Sequence, residues 1–256
     1  MSTTRRLRRM RLAEHLDDPR TKQRFVTTVF EVVSGSYDRF TRVFSYGMDA
    51  AWKRELLAEL AAGIAPDAWV LDLACGTGDI TLGAGQLVPA GRTVGLDISS
   101  GMLEVAKARA RTESVSGTSF CRGDMMHLGL PDASVDAVTV SYGIRNAPDY
   151  GGALDEITRV LKTGGLLLTL DFYRPANPVW RRAFLGYMWL AGSAFGWLWH
   201  RAAVAYGYIA PSIERHVSWQ EFSGALQTRG FVVDQVHRKL FGGICIHVAR
   251  LRRRAG

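Results

Sequence analysis

The segment Trp69–Asp79, WVLDLACGTGD, constrains the fold more than any other part of the chain. Its first residues form an apolar run typical of a strand buried on both faces of a parallel sheet. Gly76 and Gly78 then permit a sharp turn and let a ligand approach the backbone closely, and the following helix would point its N-terminal amides at that ligand. Thr81 stands where a dinucleotide-binding turn has its third glycine, so a pyrophosphate clamp is disfavoured.

Charged residues are predicted at the carboxyl ends of the first four strands. Asp97 ends the second strand, where a carboxylate can accept hydrogen bonds from both hydroxyls of a ribose. Asp124 follows the third strand and can bind an adenine amino group, while Arg145 follows the fourth. Asp72, beside the glycine turn, suits a cationic ligand and would repel a phosphate. The combination favours S-adenosylmethionine over a dinucleotide.

Seven motifs make the chain resemble a class I S-adenosylmethionine-dependent methyltransferase, and more narrowly the UbiE/MenG family, which C-methylates the ring of ubiquinone and menaquinone precursors. The resemblance covers about residues 25–250. The motifs are Tyr37-Asp38, SYGMDAAWKR (45–54), LDLACGTGD (71–79), SYGIRN (141–146), RVLKTGG (159–165), YGYIAPSI (206–213) and GICIHVA (243–249).

Three positions depart from the family pattern. Asp49 stands where the family usually has a histidine, and Thr163 where it has a proline. Asp171-Phe172-Tyr173 replaces the sequence Glu-Phe-Ser. These departures concern the substrate more than the reaction, so two substrates stay open: a reduced polyprenyl quinone precursor, either demethylmenaquinol or a benzoquinol, and another small aromatic or secondary metabolite.

The order of elements predicts an α/β fold with a doubly wound sheet. Strands and helices alternate between residues 68 and 171, which implies right-handed crossovers and helices on both faces. The resemblance implies a mostly parallel sheet of seven strands, with a helical insertion after the fifth. We expect one methyltransferase domain at 25–250, with the insertion at about 176–215, between basic tails at 1–24 and 251–256. Helices are predicted near 48–63, 78–87, 100–112, 150–161 and 218–229, the fourth ended by Thr163-Gly164-Gly165.

The residues at the predicted strand ends and the resemblance to the family together predict the cofactor site. S-adenosyl-L-methionine would bind there and leave as S-adenosyl-L-homocysteine. The predicted cofactor-binding residues are Asp72, Ala74, Gly76, Thr77, Gly78, Asp97, Ile98, Met102, Asp124, Met125 and Ser141.

Arg145 is the leading candidate for the chemistry. Methylation of a quinol ring carbon is helped by loss of the neighbouring hydroxyl proton and ends with loss of a ring hydrogen, so an oxyanion partner and a proton acceptor are both needed. Arg145 could hold a phenolate or a water that collects the proton, or it could form a structural salt bridge with Asp38 or Asp171. The resemblance implies that Tyr37 and Asp38 close over the cofactor and substrate, the alternative being a helix cap. The predicted substrate-binding residues are Asn146, Tyr206 and Tyr208.

The net charge of +8 is concentrated at the two ends of the chain. Residues 1–24 contain eight basic and three acidic residues, and four arginines lie at Arg250 and 252–254. This placement disfavours nucleic acid as a partner. Two interpretations of the basic ends stay open: they are simply solvated, or they are attracted to an anionic membrane surface. Without the apolar core of a secretory signal, we expect a cytoplasmic protein associated peripherally with the inner membrane, although a transit peptide or a homodimer stays open.

The run Ala183–Trp199 contains no charged residue. It is short for a membrane span and carries three glycines. The open interpretations are a membrane span, a buried helix pair on the sheet, and a lid or tunnel for a polyprenyl tail. No metal is predicted, because Cys75, Cys121 and Cys245 lack a zinc-binding spacing and the histidines are scattered.

Overall fold

A computed structural model describes residues 4, 7, 10, 15 and 18–252. The remaining residues of the predicted tails lie outside the described residues. Seven strands form one sheet in the order β3-β2-β1-β4-β5-β7-β6, and β7 runs antiparallel to both neighbours while the other pairs are parallel. The predicted fold class is therefore confirmed. The strands are β1 (Trp69–Leu73), β2 (Arg92–Asp97), β3 (Thr118–Arg122), β4 (Val135–Ser141), β5 (Leu161–Phe172), β6 (Phe231–Lys239) and β7 (Ile244–Leu251).

Ten α-helices surround this sheet among the described residues. They are α1 (Pro19–Val33), α2 (Tyr37–Phe44), α3 (Met48–Gly63), α4 (Asp79–Leu87), α5 (Ser100–Glu113), α6 (Tyr150–Val160), α7 (Pro178–His200), α8 (Val204–Gly207), α9 (Ile209–Arg215) and α10 (Trp219–Gln227). Short 3₁₀ turns lie at Ser34–Ser36, Ile144–Asn146 and Leu240–Gly242.

The position of the site follows from the order of the strands at the centre of the sheet. β1 lies between β2 and β4, with Leu71 opposite Val94 on one side and Val138 on the other. The chain places β2 on one side of β1 and later crosses over to place β4 on the other side. This reversal of direction opens a crevice beyond the carboxyl ends of β1, β2 and β4. Every residue of β1 after Trp69 is buried, which is the reason that its side chains are apolar except for Asp72.

The folded part of the chain begins earlier than the predicted boundary at residue 25. Asp18 caps α1 by accepting a hydrogen bond from the Arg20 backbone N–H at 2.8 Å, and proline follows at the first helical position. Lys22 Nζ donates to the Ala147 carbonyl at 2.6 Å. Leu7 is fully buried in a cluster formed mainly by α1, α2 and the helices α7 to α9. At the other end, Arg250 lies within β7 and pairs with Asp234.

The glycines at 164 and 165 lie within β5, where they form a bulge. They were predicted to end a helix, but α6 ends at Val160. Val135 pairs with Leu161 and Ala137 with Leu166, so the intervening residues loop out of the ladder. A Cβ on Gly165 would lie 2.7 Å from the Lys162 carbonyl oxygen, which explains the small residue.

A single long helix, α7, replaces the helix pair suggested for the run at 183–199. A Cβ on Gly192 would lie 2.7 Å from the Tyr206 carbonyl oxygen, and one on Gly196 would lie 2.6 Å from that of Ala202. These glycines therefore let the backbone before α9 pack directly on α7. None of the described helices has both the length and the hydropathy needed to cross a membrane.

Candidate active site

A cavity of about 670 Å³ opens beyond the carboxyl ends of β1, β2 and β4, and we call it the edge cavity. The sheet supplies most of the predicted cofactor residues to its wall, and α1 covers it from outside. Its lining includes Gln23, Val26, Thr27, Phe30, Tyr37, Ala74, Gly76, Asp97, Ile98, Met102, Asp124, Met125, Ser141, Tyr142 and Asn146.

The glycine turn is fixed by Asp97. The Gly76 N–H donates to Asp97 Oδ2 at 2.9 Å, and the Ser99 N–H donates to Oδ1 at 2.8 Å. Each carboxylate oxygen retains a lone pair for a ligand hydroxyl, since an oxygen accepts two hydrogen bonds. Gly78 has φ +91°, and a Cβ there would lie 3.2 Å from the Phe120 ring, so this glycine starts α4 and does not line a cavity.

Asp72 lies under the turn with 1% of its surface exposed. The hydroxyls of Thr81 and Thr139 donate to its two oxygens at 2.5 and 2.8 Å. Burial raises the pKa of this carboxyl to about 7, although these hydrogen bonds oppose the shift. It reaches a small cavity of about 330 Å³ that Thr77 and Ser141 also line, where a cationic ligand would favour the ionised form.

The outer wall of the edge cavity was not predicted from the sequence. Gln23 on α1 donates a short hydrogen bond to Asp124, whose other oxygen accepts from the Met126 N–H. Phe30 packs edge-on against Tyr37 at 6.0 Å between ring centroids. The predicted tail and the start of the domain thus form part of the site.

A second cavity of about 550 Å³, the inner cavity, lies behind the first. Phe30, Tyr37 and Tyr142 line both cavities, so they form the boundary between them. The inner cavity is mostly aromatic. Its lining includes Phe40, Phe44, Ser45, Asp49, Trp52, Arg145, Phe172, Tyr206 and Tyr208.

Arg145 is placed in the inner cavity by the 3₁₀ turn after β4. Its Nη1 donates to Asp171 Oδ1 at 2.8 Å and to the Tyr142 carbonyl at 3.1 Å. Asp171 also accepts from the Arg145 N–H, so the salt bridge weighed for this arginine is present and its partner is Asp171. Arg145 Nε has no hydrogen-bond partner in the described part of the chain. The pair is both a structural anchor and a fixed positive charge on the cavity wall.

Asp49 is the acidic residue that sequence reasoning did not assign to the site. It lies in the first turn of α3 with 7% of its surface exposed. Its Oδ2 pairs with Lys53 Nζ at 2.7 Å, and its carboxylate also lies within hydrogen-bonding reach of the Tyr142 hydroxyl, whose pKa is raised by burial and by Asp49. Lys53 also pairs with Asp79 at 2.8 Å and lines the small cavity beside Asp72. In the sequence, the replacement of the usual family histidine by Asp49 was the feature that could have indicated its place in the site.

Asp38 does not line either large cavity. It accepts a hydrogen bond from Thr77 Oγ1 at 2.6 Å and lies 3.9 Å from Arg109, with 41% of its side chain exposed. The structure thus separates it from Tyr37, with which it was predicted to act. Asp38 supports the glycine turn, and Tyr37 lies at the boundary between the cavities.

The predicted substrate residues occupy different places. Tyr206 stacks on Phe40 with 3.6 Å between ring centroids, and its hydroxyl lies 3.2 Å from Ser36 Oγ. Burial raises the pKa of Tyr206 to about 12. Tyr208 is buried in the inner cavity, near Arg145. Asn146 lines the edge cavity and donates to the Tyr142 carbonyl.

The donors and acceptors of the edge cavity fit the predicted cofactor. Ser141 Oγ and Asn146 Oδ1 are buried and have no partner among the described residues, so each can bond a polar ligand at low cost. Asp97 can hold a ribose and Asp124 an amino group, while Asp72 can face a cation. No cluster of three potential metal ligands occurs in the described ranges. The fold and this site define a class I S-adenosylmethionine-dependent methyltransferase.

Comparison with known proteins gives the family. The profile of the ubiE/COQ5 methyltransferase family matches residues 18–250, and the chain belongs to this family. A curated relative, the demethylmenaquinone methyltransferase of Staphylococcus aureus strain JH9, is 32% identical over 228 residues, which cover 89% of this chain and 92% of the relative. The predicted family, enzyme class and cofactor are confirmed.

Solved structures support the same fold at low sequence identity. A geranyl diphosphate C-methyltransferase from Streptomyces coelicolor A3(2) has a TM-score of 0.60 and 15% identity, and the match covers 80% of each chain. A SAM-dependent methyltransferase from Aquifex aeolicus has a TM-score of 0.54 and 16% identity, with 76% of this chain and 88% of that one covered.

Proposed function

We propose that this enzyme transfers a methyl group from S-adenosylmethionine to a ring carbon of a reduced polyprenyl quinone precursor. The observation that carries the proposal is the pair of adjoining cavities. The edge cavity suits the cofactor, and an aromatic inner cavity with a fixed guanidinium lies directly behind the boundary formed by Phe30, Tyr37 and Tyr142. The similarity to the Staphylococcus demethylmenaquinone methyltransferase favours a demethylated menaquinol, and a benzoquinol of the ubiquinone pathway is the related alternative.

The residues of the inner cavity suit a quinol ring. When bound, S-adenosylmethionine supplies an electrophilic methyl group, so the protein chiefly aligns the ring and excludes water. Aromatic walls from Phe40, Trp52 and Phe172 can stack on a flat ring. Arg145, held by Asp171, can bind a quinol oxygen and favour its ionised form. A negative oxygen raises electron density on the neighbouring ring carbon, which is the nucleophile.

A different small aromatic substrate is the second candidate. Asp49 favours it, because an acid in the inner cavity replaces the usual histidine of the family. Such a substrate would use the same cofactor site and the same arginine.

We also propose that the enzyme works at the surface of the cytoplasmic membrane. The outer face of α7 exposes Trp189, Leu190, Trp197 and Leu198, four large apolar side chains on one helix. Tryptophan favours the membrane interface, and arginines at both ends of the chain would add attraction to anionic lipid. The enzyme could then take its substrate from the bilayer.

Methylation of defined quinols tests the function. The purified enzyme is incubated with labelled S-adenosylmethionine and a chemically reduced demethylmenaquinone or demethylated benzoquinone. We expect one labelled methyl group on the ring carbon, identified by mass spectrometry. Quinones extracted from cells that lack this chain should accumulate the precursor one methyl short. Methylation on oxygen, or no product with either quinol, would contradict the proposal.

A further inference from the structure

A third cavity of about 740 Å³, partly open to solvent, lies between α7 and the start of α3, and we call it the outer cavity. Its wall is almost entirely apolar. It includes Met48, Phe172, Ala183, Phe184, Met188 and Ile244. An apolar wall of this kind suits an apolar ligand, because burial of each methylene contributes about 0.8 kcal/mol.

The outer cavity adjoins the inner cavity. Phe44, Ser45, Trp52 and Phe172 line both. An apolar chain attached to a ring in the inner cavity can therefore continue into the outer cavity along the same side chains. No charged residue is among those that line the outer cavity.

Two aromatic pairs flank the open side of the outer cavity. Tyr46 and Tyr187 have ring centroids 6.5 Å apart, and Trp180 and Phe241 have centroids 5.3 Å apart. Tyr46 is 78% exposed and Phe241 is 86% exposed. Both have positive φ angles, 52° and 53°, which non-glycine residues adopt at a cost of about 1 kcal/mol or more. Exposed aromatic rings held in this way suit contact with lipid.

We infer that the outer cavity is the binding site for the polyisoprenoid tail of the substrate, and that the remaining tail leaves between the two aromatic pairs into the bilayer. This inference rests on the proposed function, since the tail enters with the quinol ring. It assigns the first isoprene units to the outer cavity and assigns the ring to the inner cavity. It also orients the molecule, because Tyr46 and Phe241 must then face the membrane.

Ala183→Trp is the direct test, because Ala183 lines the outer cavity at an exposed position of α7 and the larger side chain can partly fill the cavity. Ala194→Trp is the matched control, since Ala194 is exposed on the same helix and lines none of the three cavities. Each variant is assayed with two reduced quinols that share a ring and carry either no tail or a long polyprenyl tail.

We expect Ala183→Trp to raise KM for the long-tailed quinol by about tenfold, the loss of roughly two buried methylenes. The tailless quinol should change much less, and Ala194→Trp should match the parent with both. Equal effects on the two substrates, or none, would overturn the tail site. If the parent methylates neither quinol, the proposed function fails instead. Photocrosslinking of a diazirine-bearing polyprenyl probe gives a readout without turnover: labelling of α7 and residues 44–48 is expected, and labelling elsewhere overturns the site.

A separate observation concerns the proton released by the ring. Among the carboxylates near the inner cavity, both oxygens of Asp171 accept hydrogen bonds from Arg145, and Asp38 is bonded to Thr77. Asp49 lines the cavity, and its buried carboxylate lies beside the Tyr142 hydroxyl at the boundary with the edge cavity. Lys53 Nζ lies 2.7 Å from Oδ2 and places a positive charge beside this carboxylate.

We propose that Asp49 accepts the ring proton after methyl transfer. The new carbon–carbon bond forms as the sulfur–methyl bond breaks, and the methylated carbon then carries both a methyl group and a hydrogen. Asp49 Oδ1 takes that hydrogen as a proton, and the electron pair of the carbon–hydrogen bond returns to the ring. The products are the methylated quinol, S-adenosylhomocysteine and one proton.

The kinetic isotope effect on a ring-deuterated quinol tests this role. In Asp49→Asn we expect turnover to fall by about 10²-fold and a primary isotope effect to emerge, because proton removal becomes rate-limiting. Asp49→His should recover much of the rate, since imidazole is also a base, and should do so with an alkaline shift of the pH profile. A slow Asp49→Asn variant without an isotope effect, or an unchanged rate, would overturn the proposal.

Discussion

At the scale of single residues, Arg145 is buried in the core and also presents a positive charge to the inner cavity. It is 5% exposed and its charge is balanced by Asp171, so it is part of the core. It also lines the inner cavity, where a positive charge can stabilise an anion. Loss of one partner from a buried ion pair costs about 3 to 5 kcal/mol, so a neutral substitution tests stability as well as chemistry.

Arg145→Lys is therefore the more informative variant. It keeps a charge for Asp171 but loses the planar guanidinium, which can bind the carboxylate and a quinol oxygen together. We expect turnover to fall by about 10²-fold or more while affinity for S-adenosylmethionine is retained. Single-turnover methylation and calorimetry of cofactor binding measure the two quantities. Methyl transfer at the parental rate would show that Arg145 is only structural.

Asp97 is the charged residue that we expect to bind the cofactor in the edge cavity. Its carboxylate holds the Gly76 N–H and the Ser99 N–H, and it faces the edge cavity. Asp97→Ala should weaken S-adenosylmethionine binding by about 1 to 3 kcal/mol, the usual cost of losing a hydrogen bond to a charged group. Calorimetry with the folded variant measures the change. Unchanged affinity would rule out a ribose contact.

At the scale of elements, α7 has two apolar faces. Phe184 and Met188 point into the protein and line the outer cavity, while Trp189 and Trp197 lie on the exposed face. The glycines at 192 and 196 fix the inner face against the segment before α9. The sequence run looked uniformly apolar because both faces are apolar for different reasons.

The exposed face of α7 should control membrane binding. We expect the double variant Trp189→Ser and Trp197→Ser to bind anionic vesicles about tenfold more weakly in a co-sedimentation assay, because the interfacial tryptophans are lost. Ala194→Ser on the same helix serves as the control. Replacing Arg5, Arg6, Arg8 and Arg9 by Gln should reduce binding at low salt only. Equal binding by all variants would contradict the proposed membrane contact.

At the scale of the whole molecule, buried titratable groups set the pH dependence of stability. Burial lowers the pKa of both His216 and His247 from 6.5 to about 4. Between these values the unfolded chain binds protons that the folded chain does not, so the free energy of unfolding rises with pH, by up to about 1.4 kcal/mol per pH unit for each histidine. Asp72 acts in the opposite direction between 3.8 and about 7, because its folded pKa is raised.

His216→Gln should therefore reduce the slope of the free energy of unfolding against pH between pH 4 and 6.5, by the equivalent of about one bound proton. Urea unfolding at several pH values gives the slope. His127→Gln, at an exposed histidine, is the matched control for loss of an imidazole. If the slope of His216→Gln equals that of the parent, His216 does not titrate abnormally in the folded state.

The sequence alone determined the sheet and the cofactor turn, because both depend on local patterns. Asp97 ends β2, and Asp124 and Arg145 follow β3 and β4, as predicted; Gly76, Asp97 and Asp124 line one cavity, as expected for strand ends at a shared edge. Only the tertiary structure decided which residues meet from distant parts of the chain. It brought α1 over the cofactor side, paired Arg145 with Asp171 rather than Asp38, and placed Asp49 in the inner cavity. Such meetings depend on helix packing around the sheet, which no periodicity or spacing in one sequence encodes.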